Sequence, residues 1–303
     1  MQKQKGFIKA LPFLLPSLIG FLLFILIPIL IAVIISQTSW NGLTNISLFD
    51  GLIQMVREEY VGIQNFTKIL SGDEFYRVLG NTSYFIVLYI PLILVVSLGV
   101  ATILNRSTKG IGAYRIMYYI PVLTSWVAGA LIWRWVLSPE YGAVNNILAL
   151  IGIEGPGWLQ DEHWAMPGVV LASVWKDAGF YGLILLGGLK NINPSYYEAA
   201  EIDGANGWHK LTRITLPLLS PVTFFVIIIC LIFSFQLFPQ VMIMTEGGPY
   251  GSTQVIVERI YRYGFDYFKM GYAAAYSWLL FVIIFIFTIV QFKLQRKWVH
   301  YES

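Results

Sequence analysis

The chain has 303 residues, of which 57% are hydrophobic and 12% charged, with a formal net charge of +3. Soluble domains carry about 25% charged residues, so a water-soluble fold of this composition would leave far too much apolar surface exposed. The small net charge, with no clustered basic stripe, excludes a nucleic-acid binder.

A transmembrane helix needs about 20 mostly apolar residues. The first such run covers 11–36 and follows Lys3, Lys5 and Lys9. It is too long for the apolar region of a signal peptide, and no small-residue cleavage site follows it, so it reads as a retained span. The second run covers 82–104 and the third 116–137. Trp126, Trp133 and Trp135 in the third, with Trp158 and Trp164 beyond it, suit an outer aromatic belt, and Arg134 can snorkel to headgroups. The fourth run, 165–189, is interrupted by Trp175, Lys176 and Asp177; the fifth covers 218–241 and the sixth 273–292. The expected fold is an all-α membrane protein, a single transmembrane domain over 1–303 with about six helices. Pro28, Pro91 and Pro121 are candidate kinks, with static packing the simpler reading. The long loops 37–80 and 242–272 are expected to hold short helices.

Basic residues set the orientation. If the N-terminus is cytoplasmic, twelve of the twenty Lys and Arg residues fall on that side: Lys3, Lys5, Lys9, Arg106, Lys109, Arg115, Lys190, Lys210, Arg213, Lys293, Arg296 and Lys297. The opposite side has Arg57, Lys68, Arg77, Arg259, Arg262 and Lys269, in longer loops. The positive-inside rule puts both termini in the cytoplasm. Cys230, the single cysteine, rules out an internal disulfide framework or a cysteine zinc cluster. His163, His209 and His300 are too far apart for metal-ligand spacing.

The connection 190–217 then lies on the cytoplasmic side. Ser195 and Glu198 match the capping-box pattern, which predicts a helix beginning at Tyr196. Ala199 and Ala200 favour helix and project little side chain. Gly204 is a natural helix stop, and a second short helix is expected over 208–212. Pro217 is expected to open the fifth span, at a first turn where proline is tolerated. A short helix with small residues is suited to lie in a partner's groove.

This stretch resembles the EAA loop of ABC importer permeases, in Glu198-Ala199-Ala200, Gly204 and Ile214-Thr215-Leu216-Pro217. The forms Ile202-Asp203-Gly204-Ala205 and Leu216-Pro217-Leu218-Leu219-Ser220-Pro221 are similar to the carbohydrate-importer branch. Thr245-Glu246-Gly247-Gly248-Pro249, Gly271-Tyr272-Ala273-Ala274-Ala275, Ser277 and Thr288-Ile289-Val290-Gln291 look like the larger subunit of the maltose and glycerol-phosphate type. The resemblance covers 175–291. This chain lacks the extra spans and large external domain of the maltose example, so that subunit's contacts with its binding protein do not carry over.

The resemblance implies a type I ABC importer permease fold in a bacterial cytoplasmic membrane. The implied complex is a heterodimer with a second permease subunit, two cytosolic ATPase subunits and an external solute-binding protein. Glu198, Ala199, Ala200, Asp203 and Gly204 would form the ATPase coupling surface. Glu198 also has the plainer reading of a capping residue, Gly204 that of a helix stop, and Asp203 that of a partner for Lys210 or Arg213. The chain has no G-x-x-x-x-G-K-[ST] phosphate loop, so it would bind no cofactor and catalyse nothing; ATP and Mg would be used by the ATPase.

Charged groups inside a span are expensive and usually face a cavity or a partner. Lys176 and Asp177 fit that description, or they pair with each other or with other polar groups where the fourth run breaks. Aligned on the two motifs, the resemblance brings Trp175, Asp177, Phe180, Phe233, Ser234 and Gln236 to the mid-membrane positions where similar sugar permeases bind substrate. Sugars present hydroxyls to polar groups and apolar ring faces to aromatics, which suits this mix; packing is the plainer reading of each aromatic. An ABC permease for amino acids, phosphate or peptides is the nearest alternative. An ion-coupled secondary transporter predicts inverted repeats and discontinuous helices, and no repeat relates the two halves. A membrane enzyme lacks support, since no nucleophile–base pair or metal cluster is present.

Overall fold

The computed structural model describes residues 2–43, 50–106 and 110–299, so Lys109 and His300 lie outside the described residues. Among these, all regular structure is helical apart from one antiparallel bridge between Thr38 and Tyr60. In chain order come α1 (Pro12–Ser36), α2 (Asp50–Glu59), α3 (Gln64–Ser71), α4 (Asp73–Leu104), α5 (Ile111–Leu123), α6 (Trp126–Val136) and α7 (Ala143–Leu150). Then follow α8 (Ala165–Asn191), α9 (Ser195–Ile202), α10 (Gly207–Leu218), α11 (Ser220–Phe235), α12 (Pro239–Met244), α13 (Ile256–Tyr261) and α14 (Met270–Gln295).

Helices α1, α4, α8 and α14 are long and apolar enough to cross a bilayer. Two further pairs join across sharp bends, α5 with α6 at 98° and α10 with α11 at 68°. Counting each bent pair as one crossing gives six spans. The hydropathy pattern reads 116–137 as one continuous span, but the chain breaks at Thr124 and Ser125. Thr124 is extended, and Ser125 caps α6 by accepting a hydrogen bond from the Ala128 amide at 3.2 Å. The run 218–241 likewise ends early: α11 stops at Phe235 and α12 begins at Pro239. Of the three prolines, Pro91 sits inside the continuous helix α4. Pro121 occupies the last turn of α5, and Pro28 follows a wide turn over Leu22–Leu26. A proline has no N–H to give the carbonyl four residues back, and a wide turn accommodates that loss.

One compact unit comprises Met1–Gly72 and Arg259–Phe281. Here the buried Asn65 amide donates to the carbonyls of Ser36 at 3.0 Å and Thr38 at 2.8 Å, satisfying the C-terminal end of α1. Gly271 lies where any Cβ would strike the Thr38 carbonyl. Its amide donates to the Trp40 carbonyl at 3.0 Å.

The second unit comprises Asp73–Glu258 and Val282–Ser303. Its core is built on α4 and α8. Phe85, Tyr89, Ile93, Ser97, Val100 and Leu104 form a buried stripe on α4 at helical spacing. Helix α8 is buried around most of its circumference, including Ala172, Ala178, Tyr181 and Leu185. Without a hydrophobic drive between helices in lipid, close packing depends on small residues. Gly179 supplies one such contact, since a Cβ there would strike the Tyr118 carbonyl of α5. Phe224 and Phe235 of α11 pack on Phe292 and Phe287 of the α14 end, with ring centroids 5.7 and 5.2 Å apart.

Candidate functional site

The break between α5 and α6 leaves carbonyls that no helix can satisfy. In the apolar interior of a membrane such groups need a protein partner. Lys176, buried in the middle of α8, supplies it. Its ammonium donates to the carbonyls of Pro121 at 3.2 Å, Val122 at 3.1 Å and Thr124 at 2.8 Å. It also lies over the Trp126 ring, 5.3 Å from the centroid. A cation is favoured at a helix C-terminus by the backbone dipoles, and here it meets the last turn of α5. Asp177, the next residue, accepts a hydrogen bond from the Tyr89 hydroxyl of α4 at 2.8 Å. Lys176 and Asp177 thus each have polar partners, while α8 runs unbroken through them and both also line a cavity.

Beside this junction is a cavity of about 320 Å³. It is bounded by α4, the α5–α6 break, α8 and the loop between α11 and α12. Five of the six residues singled out as substrate contacts line it: Asp177, Phe180, Phe233, Ser234 and Gln236. The sixth, Trp175, does not; it packs edge-on against Trp133 with centroids 6.0 Å apart and borders a separate cavity near Tyr118 and Gly179. The reason is helical phase, since Trp175 and Asp177 lie about 200° apart around α8. Phe233 is 58% exposed and Phe180 36%, so both present ring surface. Ser234 Oγ and Gln240 Oε1 are buried without a hydrogen-bond partner. Tyr89, Ser173 and Gln240 also line the cavity and were not singled out from sequence; Trp126, read from sequence as part of an outer aromatic belt, lines it too. Ser125 following Pro121 was the available signal for a helix restart near Trp126.

The loop 190–217 is built differently. Helix α9 begins at Ser195, one residue earlier than the capping-box reading predicts, and the Ser195 side chain makes no cap. Asn193 takes that role, its Oδ1 accepting from the Ser195 amide at 3.0 Å. Gly204 ends α9 in the left-handed region at φ 76°. The Ala205 amide donates to the Ala200 carbonyl at 2.8 Å and the Gly204 amide to the Glu201 carbonyl at 3.1 Å, the Schellman pattern. Nothing lies within 4 Å of a Cβ built on Gly204, so its local need is conformational.

Asn206 then caps α10, accepting from the His209 amide at 2.9 Å. The predicted second helix, 208–212, is the start of this longer element. Pro217 falls in its last turn, and Pro221 occupies the first turn of α11. The Tyr197 and Thr215 hydroxyls share a hydrogen bond of 3.0 Å that ties α9 to α10. Lys210 pairs with Glu201 at 2.6 Å, not with Asp203. The hydrogen bond from Lys210, and then its charge, hold the Glu201 carboxyl below its usual range. Glu198, Ala199 and Asp203 are exposed, as are Ile202 and Trp208.

A cavity at two helix breaks, in a bundle that also carries an exposed, braced helical loop, is an arrangement suited to a transport subunit. The family model described as "Binding-protein-dependent transport system inner membrane component" matches residues 71–300. The chain belongs to that family. This permease is 35% identical over 305 residues to the probable ABC transporter permease protein YesP of Bacillus subtilis (strain 168), covering 99% of this chain and 94% of that protein. It is 33% identical over 258 residues to the lactose transport system permease protein LacF of Rhizobium radiobacter, covering 83% and 86% of the two. Its fold is similar to a chain in the crystal structure of a bacterial alginate ABC transporter in complex with an alginate pentasaccharide-bound periplasmic protein. There the TM-score is 0.78 at 26% identity, covering 97% of this permease and 96% of that chain. The permease is therefore a multi-pass membrane component of a transport system.

Proposed function

We propose that this permease forms half of the translocation pathway of an ATP-driven importer of sugars or oligosaccharides. Its partners are a second, different permease subunit, two cytosolic ATPase subunits that use ATP and Mg, and an external solute-binding protein. It has no ATPase site of its own and binds no cofactor. Both termini face the cytoplasm. The observation that carries this reading is α9, a capped and stopped helix whose Glu198 and Ala199 are exposed, in a chain of a binding-protein-dependent family.

Closure of the ATPase pair would push on α9 and, through the Tyr197–Thr215 hydrogen bond, on α10 and the bend into α11. Phe233, Ser234 and Gln236, at the far end of α11, border the cavity. Phe180 and Phe233 would offer ring faces to a sugar, and Ser234, Gln236 and Asp177 would meet its hydroxyls. The sugar class is supported by the lactose relative, whose own substrate is named in its description.

The test is cross-linking. A cysteine introduced by Ala199→Cys is expected to cross-link to an ATPase subunit in native membranes and to be shielded from membrane-impermeant thiol reagents added outside. Labelling from outside, or cross-links that never reach an ATPase, would overturn the coupling role and the orientation together.

A further inference from the structure

The unit comprising Met1–Gly72 and Arg259–Phe281 holds a polar cavity of its own, of about 420 Å³, lined by Ser39, Asn65, Lys68, Tyr263, Lys269 and Tyr272. Ser39 lies just beyond the end of α1, and Lys269 directly precedes α14. Both helices cross the bilayer, so the cavity lies at a membrane face. Asn65 gives its side-chain amide to the carbonyls of Ser36 and Thr38, which fixes α3 against the end of α1. Lys68 follows one turn later on the same face of α3. On the other wall, Phe268 sits in the left-handed region at φ 52°, and the Lys269 amide donates to the Tyr263 carbonyl at 2.8 Å. Tyr263 is held by the Tyr272 ring, with centroids 4.7 Å apart, and by the Arg259 guanidinium, 5.3 Å from its own centroid.

Among the described residues, the lining carries two cations and no carboxylate. Asp266, the carboxylate nearest Lys269 in the chain, pairs with Arg262 at 3.5 Å. Glu59 meets Ser39 through its backbone carbonyl and does not line the cavity. Neither lysine forms an ion pair or a side-chain hydrogen bond among the described residues, so each ammonium keeps three donors. In the segments that carry these lysines, Ile63, Leu70, Phe265 and Phe268 are exposed. We propose that this cavity binds the phosphate of an anionic phospholipid headgroup. Lys68 and Lys269 donate to the phosphate oxygens, a charge-assisted contact. The exposed aromatic and aliphatic side chains meet the upper part of the acyl chains, at the level where aromatic residues collect in membrane proteins. A zwitterionic headgroup brings an ammonium of its own, which the two lysines repel, so the anionic lipid is preferred. An acidic protein surface would match the cations but leave Phe265 and Phe268 without an apolar phase, whereas a lipid meets both. The proposal is independent of the solute carried.

The test uses the assembled importer in phosphatidylcholine nanodiscs. In a Cys230→Ser background, a bimane fluorophore is attached through Phe268→Cys, or through Phe265→Cys should the first variant fail to assemble. Phosphatidylglycerol or phosphatidylcholine bearing a nitroxide near the top of one acyl chain is mixed in as quencher. Half-quenching is expected at a mole fraction of labelled phosphatidylglycerol on the order of tenfold below that of labelled phosphatidylcholine, each lysine adding a few-fold. Lys68→Gln with Lys269→Gln should bring the two lipids together, and Lys68→Arg with Lys269→Arg should keep the preference. Equal quenching by the two lipids, a preference unmoved by the double glutamine variant, or no quenching at either position would each overturn the proposal. So would loss of the preference on adding glycerol phosphate equimolar with the lipid, which would make this a site for a free phosphate. Loss on adding the solute-binding protein would instead assign the two lysines to a protein contact and overturn it too.

Discussion

The cavity end and the loop 190–217 of this permease solve opposite problems. Around Lys176, a broken helix lies deep in an apolar bundle, and the carbonyls freed at the break are matched by a side chain from a distant helix. At α9, the backbone is closed by two local devices, Asn193 at the start and Gly204 at the end, while the side chains face outward. The first region holds the fold together, so its residues are constrained from many elements at once. The second region is locally self-sufficient, so its outward side chains are free to serve a partner.

That contrast can be broken at three points. The largest effect is expected from Lys176→Met, which keeps the length of the side chain and removes the three donors. The Pro121 carbonyl keeps Thr124 as a partner, but those of Val122 and Thr124 lose the Lys176 donor at about 1–3 kcal/mol each, so the variant should lose much of its folded yield and show a lower thermal midpoint in detergent. An unchanged midpoint would mean that the α5–α6 break is held by something else. Glu198→Lys should do the reverse: uptake by the importer is lost, while membrane content and thermal midpoint stay at wild-type levels. Normal uptake would leave Glu198 as an ordinary exposed residue of α9. The smallest effect belongs to Gly204→Ala. An L-residue in the left-handed region costs about 1 kcal/mol, which should speed amide hydrogen exchange around Asp203–Ala205 several-fold and leave the cavity end unaffected. Exchange that spreads into α8 would show that the two regions are not separable.

The sequence made some of this architecture legible and hid the rest for physical reasons. Long apolar runs such as those in α1 and α14 are visible because lipid requires them. The loop 190–217 was visible because its instructions are local: Ala199, Ala200, Gly204 and the proline pair lie within one short stretch. Local patterns also misled. Ser195 and Glu198 match a capping box, yet Asn193 sits two residues earlier and takes the amide first. The bend at Thr124 was hidden because its compensation comes from Lys176, some fifty positions later. Without that partner in view, 116–137 is simply an apolar run. Trp175 was grouped with Asp177 by proximity in sequence, while the turn of α8 separates them.

Helix α1 shows how the lipid takes part in setting this structure. It has 25 residues, and none of its most apolar 18-residue stretch is buried within the chain. At about 1.5 Å per residue it measures about 37 Å, against a hydrocarbon thickness of about 30 Å. The surplus must be absorbed by tilting, by bending at the wide turn over Leu22–Leu26, or by local thickening of the bilayer. The inclination of α1 is thus set partly by membrane thickness, and lipids of shorter or longer acyl chain should change it.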